Sequence, residues 1–273
     1  MDILQSILVV AVIFVPLELL LPQRPAQRIF RRHWFNDLIY LFGNGFVVRI
    51  GVLLAFAFPL GDVETAMPGS ARGFVQSQPI WLQVVAALMV AEIGFYAAHR
   101  LFHAVPYLWR FHAIHHSIED LDWLAAHRVH PIDQVFSSLA TVVPLLVVGF
   151  SPEAMAIYGL LYLLQSHLVH ANVRLDFGPL RWVFASPRFH HWHHANQPEA
   201  HGHNFSAQLV FMDQIFGTLR IPDAMPDRYG TDEAIPQVYP LQLAWPFLRQ
   251  QPAPFLRQQP ARPPQPLTGS TPS

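Results

Sequence analysis

The chain has 273 residues, 52% apolar and only 13% charged, about half the ~25% charge of an ordinary soluble domain, so it reads as a polytopic membrane protein. A formal charge of −1 without a basic stripe argues against a nucleic-acid partner. There is no cysteine and all seventeen basic residues are Arg, which excludes thiol nucleophiles, disulfides, iron–sulfur and cysteine zinc sites, lysine general bases and Schiff-base chemistry. Any transition metal must therefore be held by His or carboxylate.

In chain order, Ile3 to Leu21 is an apolar run broken only by Gln5, Ser6 and Glu18, long enough to cross a hydrocarbon core of ~30 Å as a helix. Met1-Asp2 offers no basic n-region and Leu21-Pro22-Gln23-Arg24 no small-residue cleavage site, so the run is expected to be a retained anchor rather than a signal peptide. Arg24, Arg28, Arg31 and Arg32 follow. Leu38 to Leu60 is the second apolar segment, with Gly43, Gly45 and Gly51 as close-packing points and Arg49 near its middle. After a polar loop with Asp62, Glu64 and Pro68, the third segment, Ile80 to Ala98, carries Glu92 and runs directly into the first histidines.

A long polar stretch, His99 to Asp133, separates these from Val135–Phe150 and Ala154–Val169, which the turn signal Gly149-Phe150-Ser151-Pro152 joins as a helical hairpin. At about 16 residues each, they are short for a full span and suit a tilted, shallow or partly re-entrant hairpin. If the four arginines of positions 24–32 mark the cytoplasmic side, positions 61–79 and 149–153 lie outside. Every histidine cluster and the C-terminus then lie in the cytoplasm. The expected fold is all-α: a polytopic membrane helical bundle of about five apolar segments under a cytoplasmic histidine-rich helical cap, in the inner membrane if the source is bacterial. Residues 1–235 are expected to form one membrane-embedded domain. From Pro236 on, ten of 38 residues are Pro and the octapeptide Pro246–Ala253 is repeated as Pro254–Ala261, so 236–273 is read as a disordered tail.

Sixteen histidines are present, and fifteen fall between His99 and His203. His99 and His103 are an i, i+4 pair on one face of a helix leaving the third segment. His112, His115 and His116 follow at i, i+3, i+4, and His190, His193 and His194 repeat that spacing. His167 and His170 stand at the emerging end of the hairpin. A single histidine is ordinarily a satisfied surface or core residue, but packing does not explain this lattice. Eight to ten imidazoles are about what two metals of coordination number four to six absorb.

At this point the sequence resembles the fatty acid hydroxylase superfamily, also called the sterol desaturase family, of integral-membrane oxidoreductases. The residues that carry the resemblance are His99-Arg-Leu-Phe-His103, Phe111-His112-Ala-Ile-His115-His116-Ser117 and Ser186-Pro187-Arg188-Phe189-His190-His-Trp-His193-His194. Leu121-Asp122-Trp123 through His130-Pro131 and Asn204-Phe205 through Thr218 add to it, so the match covers roughly residues 80 to 220. The resemblance implies two iron ions that activate dioxygen and hydroxylate or desaturate a lipid C–H bond. Carried over by residue, the metal ligands are His99, His103, His112, His115, His116, His170, His190, His193 and His194, with His167 as a further candidate because the third cluster departs from the family spacing. Glu92, His130 and Asn172 are candidates for supporting the ligands, and His127, His191, His201 and His203 are read as structural or supporting. Glu92, seven residues before His99 on the same helix, either orients a ligand or pairs with Arg49. Trp109, Trp123, Trp182 and Trp192 form an interfacial belt or pack beside the metals. Asp122, Asp133 and Asp213 are read as caps or solvated residues.

No nucleotide-binding glycine pattern, flavin motif or fused cytochrome is present, so the electrons are expected from a separate reductase. The competing readings are a zinc-dependent membrane hydrolase acting on a lipid, since imidazole also binds zinc, and a haem or metal carrier. The sequence leaves open which lipid is the substrate and whether it is hydroxylated or desaturated.

Overall fold

The structure, a computed structural model, is described for residues 3–57 and 67–248, without the side chains at 3–4, 6, 46–49 and 52–57. The Arg49 side chain, the end of the second apolar segment, Asp62, Glu64 and residues 249–273 therefore lie outside the described residues. Within them the chain is all-helical, with ten α-helices, three 3-10 turns and isolated bridges in place of strands. The five apolar segments become the five long helices: α1 Ile3–Leu20, α2 Trp34–Ala57, α4 Ile80–Ala104, α6 Pro131–Val148 and α7 Pro152–His170. By length and composition, α4 and α6 are candidate membrane spans. A short helix, α3 Gly69–Gln76, precedes α4.

Local chemistry sets the boundaries of the hairpin. Pro131 occupies the first turn of α6, with the His130 side chain accepting from the Ile132 N–H at 3.1 Å as its cap. Gly149, at φ +72°, ends α6 in the left-handed conformation that glycine adopts without strain. Ser151 then caps α7 by accepting from the Ala154 N–H at 3.3 Å. α4 and α6 meet backbone to backbone at Gly94, where a Cβ would stand 2.0 Å from the Ala140 carbonyl oxygen. That contact brings the His99 end of α4 and the Asp133 end of α6 to one level. Gly43 and Gly51 are close-packing points as expected, against Tyr239 and Val135.

The stretch from His99 to Asp133 is mostly ordered helix. α4 continues to Ala104, α5 Pro106–His116 follows after a one-residue break, and Trp123–His127 forms a 3-10 turn capped by Asp122. Beneath it lies a buried ionic lattice. Arg31 donates to Asp37 and to Asp122, each at 2.6 Å, while Arg128 donates to the other oxygen of Asp37 and, at 2.7 Å, to Gln237. Asp37 is fully buried and Arg128 almost so. Two cations and two anions enclosed together satisfy the requirement that a buried charge be paired and hydrogen-bonded.

One expectation changes at the C-terminal side. Tyr239–Leu248, within the stretch read as tail, forms helix α10 docked on α2 and α5. Its Gln242 is fully buried and accepts from Asn36 at 2.9 Å, Tyr239 packs edge-on to Tyr40, and Leu243 accepts from His130 at 3.2 Å. The proline count of the tail masks a short amphipathic segment whose Tyr239 and Trp245 complete the cluster of Tyr40, Trp109 and Ile114. Gln242→Ala should therefore strand the Asn36 amide and cost about 1–3 kcal/mol, read as a lowered unfolding temperature in detergent.

Candidate metal centre

Four elements deliver the histidines. His99 and His103 end α4, His112, His115 and His116 form the last turn of α5, and His170 ends α7. His190 and His193 lie on α8 Pro187–His193, with His194 at its C-terminal cap; α8 is a short helix started by the Ser186 hydroxyl accepting from the Phe189 N–H. The nine histidines carried over by resemblance come together in two buried groups. His99, His103, His112, His116 and His193 form one, His115, His170, His190 and His194 the other, and within each the nitrogens that face one another lie within 4.8 Å.

Hydrogen bonding decides which nitrogen faces inward. A carbonyl oxygen only accepts, so a ring nitrogen bonded to one must carry the proton. His99 Nδ1 donates to Phe205 O at 2.7 Å, His115 Nδ1 to Arg128 O at 3.1 Å, His170 Nδ1 to Ser166 O at 2.7 Å and His193 Nδ1 to His203 O at 3.0 Å. His112 Nδ1 donates to the Asp133 carboxylate at 2.7 Å. In the neutral form each of these five rings then presents a bare lone pair on Nε2. Yet His99 Nε2 and His112 Nε2 face each other at 3.0 Å, and His115 Nε2 and His170 Nε2 at 3.2 Å. Two lone pairs at that distance repel unless a cation lies between them.

A metal would supply that cation, and the spacing suits one. Ligand nitrogens about 2.0–2.1 Å from a metal and at right angles around it are ~3 Å apart, and the convergent Nε2 atoms of the second group are spaced at 2.9, 3.1 and 3.2 Å. A proton is a poor substitute there, because burial holds His115, His190 and His194 well below the usual imidazole pKa and pushes His193 down to about 3. His116, in the first group, is lowered in the same way. The residues present thus fit two cations in a shell of neutral imidazoles.

His167 lies outside both groups. Its Nδ1 donates to Leu163 O at 2.6 Å, and its Nε2 lies 3.0 Å from His127 Nε2, a pair that a single proton on His127 reconciles. His130 caps α6, His191 bridges Tyr229 and the Ala171 carbonyl, and His203 lends its carbonyl to His193. Asn172 ties the α1–α2 connection to the end of α7 by accepting from the Arg24 N–H at 2.8 Å and donating to the Arg24 carbonyl at 3.3 Å. Glu92 is not placed against a histidine: it accepts from the backbone N–H groups of Ala207, Gln208 and Leu209 at 2.7–2.9 Å. Its effect on His99 runs through that loop, which includes the acceptor carbonyl of Phe205.

Two residues read as caps or solvated groups are buried parts of this scaffold. Asp133 orients His112, and Asp213 on α9 Phe211–Ile215 holds the same loop as Glu92 by accepting from the N–H groups of Phe205 and Ser206. Asp133 meets its partner 21 positions back and Asp213 its own seven and eight positions back across a loop, and the one local clue is that Asp133 sits in the first turn of a helix opened by His130-Pro131. The tryptophans divide. Trp109 packs beside the histidines, its ring 5.2 Å from that of His103 and 5.3 Å from that of His116, whereas Trp182 is exposed.

A cavity of about 360 Å³ opens against both groups, touching His99 and His112 of one and His115, His170 and His190 of the other. Phe95, Tyr162, Leu163 and Val169 make its apolar walls, and Gln134, Ser137 and Ser138 line its α6 side.

The family model for fatty acid hydroxylases matches residues 84–218, and over that stretch the chain belongs to the fatty acid hydroxylase family. Among curated relatives, the chain is 32% identical over 220 residues to an ornithine lipid hydroxylase of Rhizobium tropici, covering 79% of this chain and 66% of the relative. An alkylglycerol monooxygenase of Xenopus tropicalis is 29% identical across 56% of this chain and 33% of its own length. A methylsterol monooxygenase of Arabidopsis thaliana is 27% identical across 51% of this chain and 54% of its own length. The chain thus spans from a third to about two thirds of the length of these relatives. No solved structure matches it. Each of these relatives is named as a hydroxylase or monooxygenase, and the zinc-hydrolase alternative finds no support among them.

Asp133→Asn keeps the shape but no longer favours the Nδ1–H form of His112, so metal retained after dialysis against a chelator should fall, with affinity lowered about 10–100-fold. Acid should also unfold the protein steeply. Burial lowers His127 to about 3 and His191 to about 4 in the folded state, so below the unfolded value near 6.5 the unfolded chain binds more protons. Stability is fully present above that pH and is lost below it, by about 1.4 kcal/mol per pH unit for each such imidazole until its folded pKa is reached. Unfolding midpoints measured between pH 7 and pH 4 check this.

Proposed function

We propose that this protein is a membrane-bound oxidoreductase that holds two iron ions in its two histidine groups and uses dioxygen to hydroxylate a lipid C–H bond. The observation that carries the reading is the pair of facing lone-pair nitrogens in each group, backed by family membership and by the activities for which the relatives are named. In this reading α1, α2, α4, α6 and α7 cross or enter the bilayer, and the histidines and C-terminal residues lie on the cytoplasmic side.

Iron in such a shell supplies reduction of dioxygen and oxidation of an unactivated C–H bond, chemistry that no side chain of this chain provides. The protein's own part is positioning and exclusion. Asp133 and the carbonyls of Phe205, Arg128, Ser166 and His203 hold five rings in one tautomer and orientation, so the ligand set is assembled before substrate arrives. Phe95, Tyr162, Leu163 and Val169 orient the substrate chain against the centre and keep bulk water from it.

In the overall balance, one oxygen atom enters the C–H bond and the other leaves as water. Two electrons and two protons come from a separate reductase. Desaturation is the variant in which both oxygen atoms leave as water. The relatives act, by their names, on ornithine lipid, alkylglycerol and methylsterol, which supports a lipid substrate drawn from the bilayer.

The test is isotopic. With a chemical or enzymatic reductant and 18O2, lipids extracted from membranes containing the protein should gain a hydroxyl bearing the label, and the product should vanish without oxygen or when zinc replaces iron. Turnover that persists anaerobically, or label arriving from H2 18O instead, refutes the reading.

A further inference from the structure

The cap carries an exposed apolar patch that the metal centre does not use. Leu180, Trp182, Val183 and Phe184, between α7 and α8, join Ile215 and Phe216 at the end of α9, and the exposures of 57% for Leu180 and 68% for Ile215 are those of side chains that face out of the protein. The two segments are locked together. The Val210 N–H donates to Val183 O at 3.0 Å, Gln214 donates to Trp182 O at 2.8 Å, and Phe184 bridges to Leu209. A patch of large apolar side chains, held in place by backbone hydrogen bonds, marks an interaction surface.

Its neighbours identify what covers it. The Phe216 ring stacks on Tyr96 of α4 at 5.4 Å, and Gln165 of α7 donates to the Ala185 carbonyl. Tyr96 continues the helical line of Met89 and Ile93, and Gln165 that of Ile157 and Leu161, and all four of these apolar residues are exposed. The exposed apolar flanks of α4 and α7 therefore lead up to the cap, meeting it where Phe216 covers the buried Tyr96 and where Gln165, half-buried, bonds to Ala185. At its rim, Arg100 lies over the Phe216 ring and Arg181 over the Trp182 ring, each at 5.3 Å. Arginine and tryptophan at the edge of an apolar band are the residues suited to the headgroup level of a membrane.

We infer that Leu180–Phe184 and Ile215–Phe216 are a lipid-immersed foot of the histidine cap, inserted into the leaflet on the histidine side next to α4 and α7. The inference rests on the reading of α4 and α7 as membrane helices. A soluble partner is disfavoured because Phe216 stacks directly on α4, so a protein covering it would have to displace lipid from that helix. Phe95 of α4, Tyr162 of α7 and Ala207 and Gln208 of the loop behind the foot all line the cavity, so the foot stands beside the side of the cavity that α4 and α7 bound.

The absence of cysteine makes the test clean. Single substitutions Val183→Cys and Ile215→Cys in the full chain are labelled with a nitroxide, with Ile93→Cys as the reference for a span flank and Asp223→Cys, whose native side chain is 93% exposed, as the aqueous reference. Phe184→Cys replaces Val183→Cys if the latter fails to accumulate. In vesicles of phosphatidylcholine and phosphatidylglycerol, collision rates with dissolved oxygen and with a water-soluble nickel chelate are compared. The expected result is an oxygen-to-nickel ratio at 183 and 215 close to that at 93 and several-fold above that at 223. Labels at 183 and 215 that resemble 223 while 93 stays in lipid overturn the foot alone. Labels shielded from both reagents show a covering protein and also overturn it. A water-facing label at 93 overturns the spanning reading and the foot with it.

Discussion

The structure depends on the direction in which five imidazoles point their protons. His99, His112, His115, His170 and His193 each give Nδ1–H to a fixed acceptor, and only then do their Nε2 lone pairs converge. A histidine with a free ring is a mediocre ligand because tautomer and rotation must be fixed each time a metal binds. Here that ordering is built into folding, and the cost is repulsion between nitrogens that a cation relieves.

Much of the remaining architecture serves to fix those acceptors. The carbonyl that receives His115 belongs to Arg128, whose guanidinium is buried against Asp37, which also binds Arg31. The connection between α1 and α2 is thereby linked to the second histidine group through one continuous lattice, and breaking a buried pair of this kind costs about 3–5 kcal/mol. The carbonyl that receives His99 belongs to Phe205, in a loop held from one side by Glu92 and from the other by Asp213. Ser166 needs no such support, because it is the i−4 carbonyl of His170 on α7 itself.

The five long helices, the hairpin turn at Gly149 and the clustering of histidines at helix ends were legible in the sequence because each rests on local signals: apolar run length, glycine at a left-handed position, i, i+3, i+4 spacing; the division into two groups, which parts His115 from His112 and His116 and His193 from His190 and His194, was not. The nine histidines could be singled out because the family motif keeps order and spacing together. What escaped were contacts between residues far apart in the chain. Asp133 meets His112 across 21 positions and Glu92 meets Ala207 across 115, so neither has a pattern that a local reading detects. Four of the five acceptors are backbone carbonyls, which have no residue identity to read. Helix α10 was obscured for a different reason: proline-rich composition averaged over 236–273 hid a ten-residue segment that packs by Tyr239, Gln242 and Trp245.

The position of Glu92 also bears on how the protein is made. α4 is synthesised with an acidic side chain in an apolar helix, and the three amides that receive it lie 115 to 117 residues downstream. At a synthesis rate of about 5–20 residues per second, those amides follow after roughly 6–23 s. During that interval the nascent helix carries a carboxyl group awaiting its native donors, in a segment whose other end bears two histidines. The two histidine groups can therefore close only late in translation, once α8 and the 205–209 loop have been made.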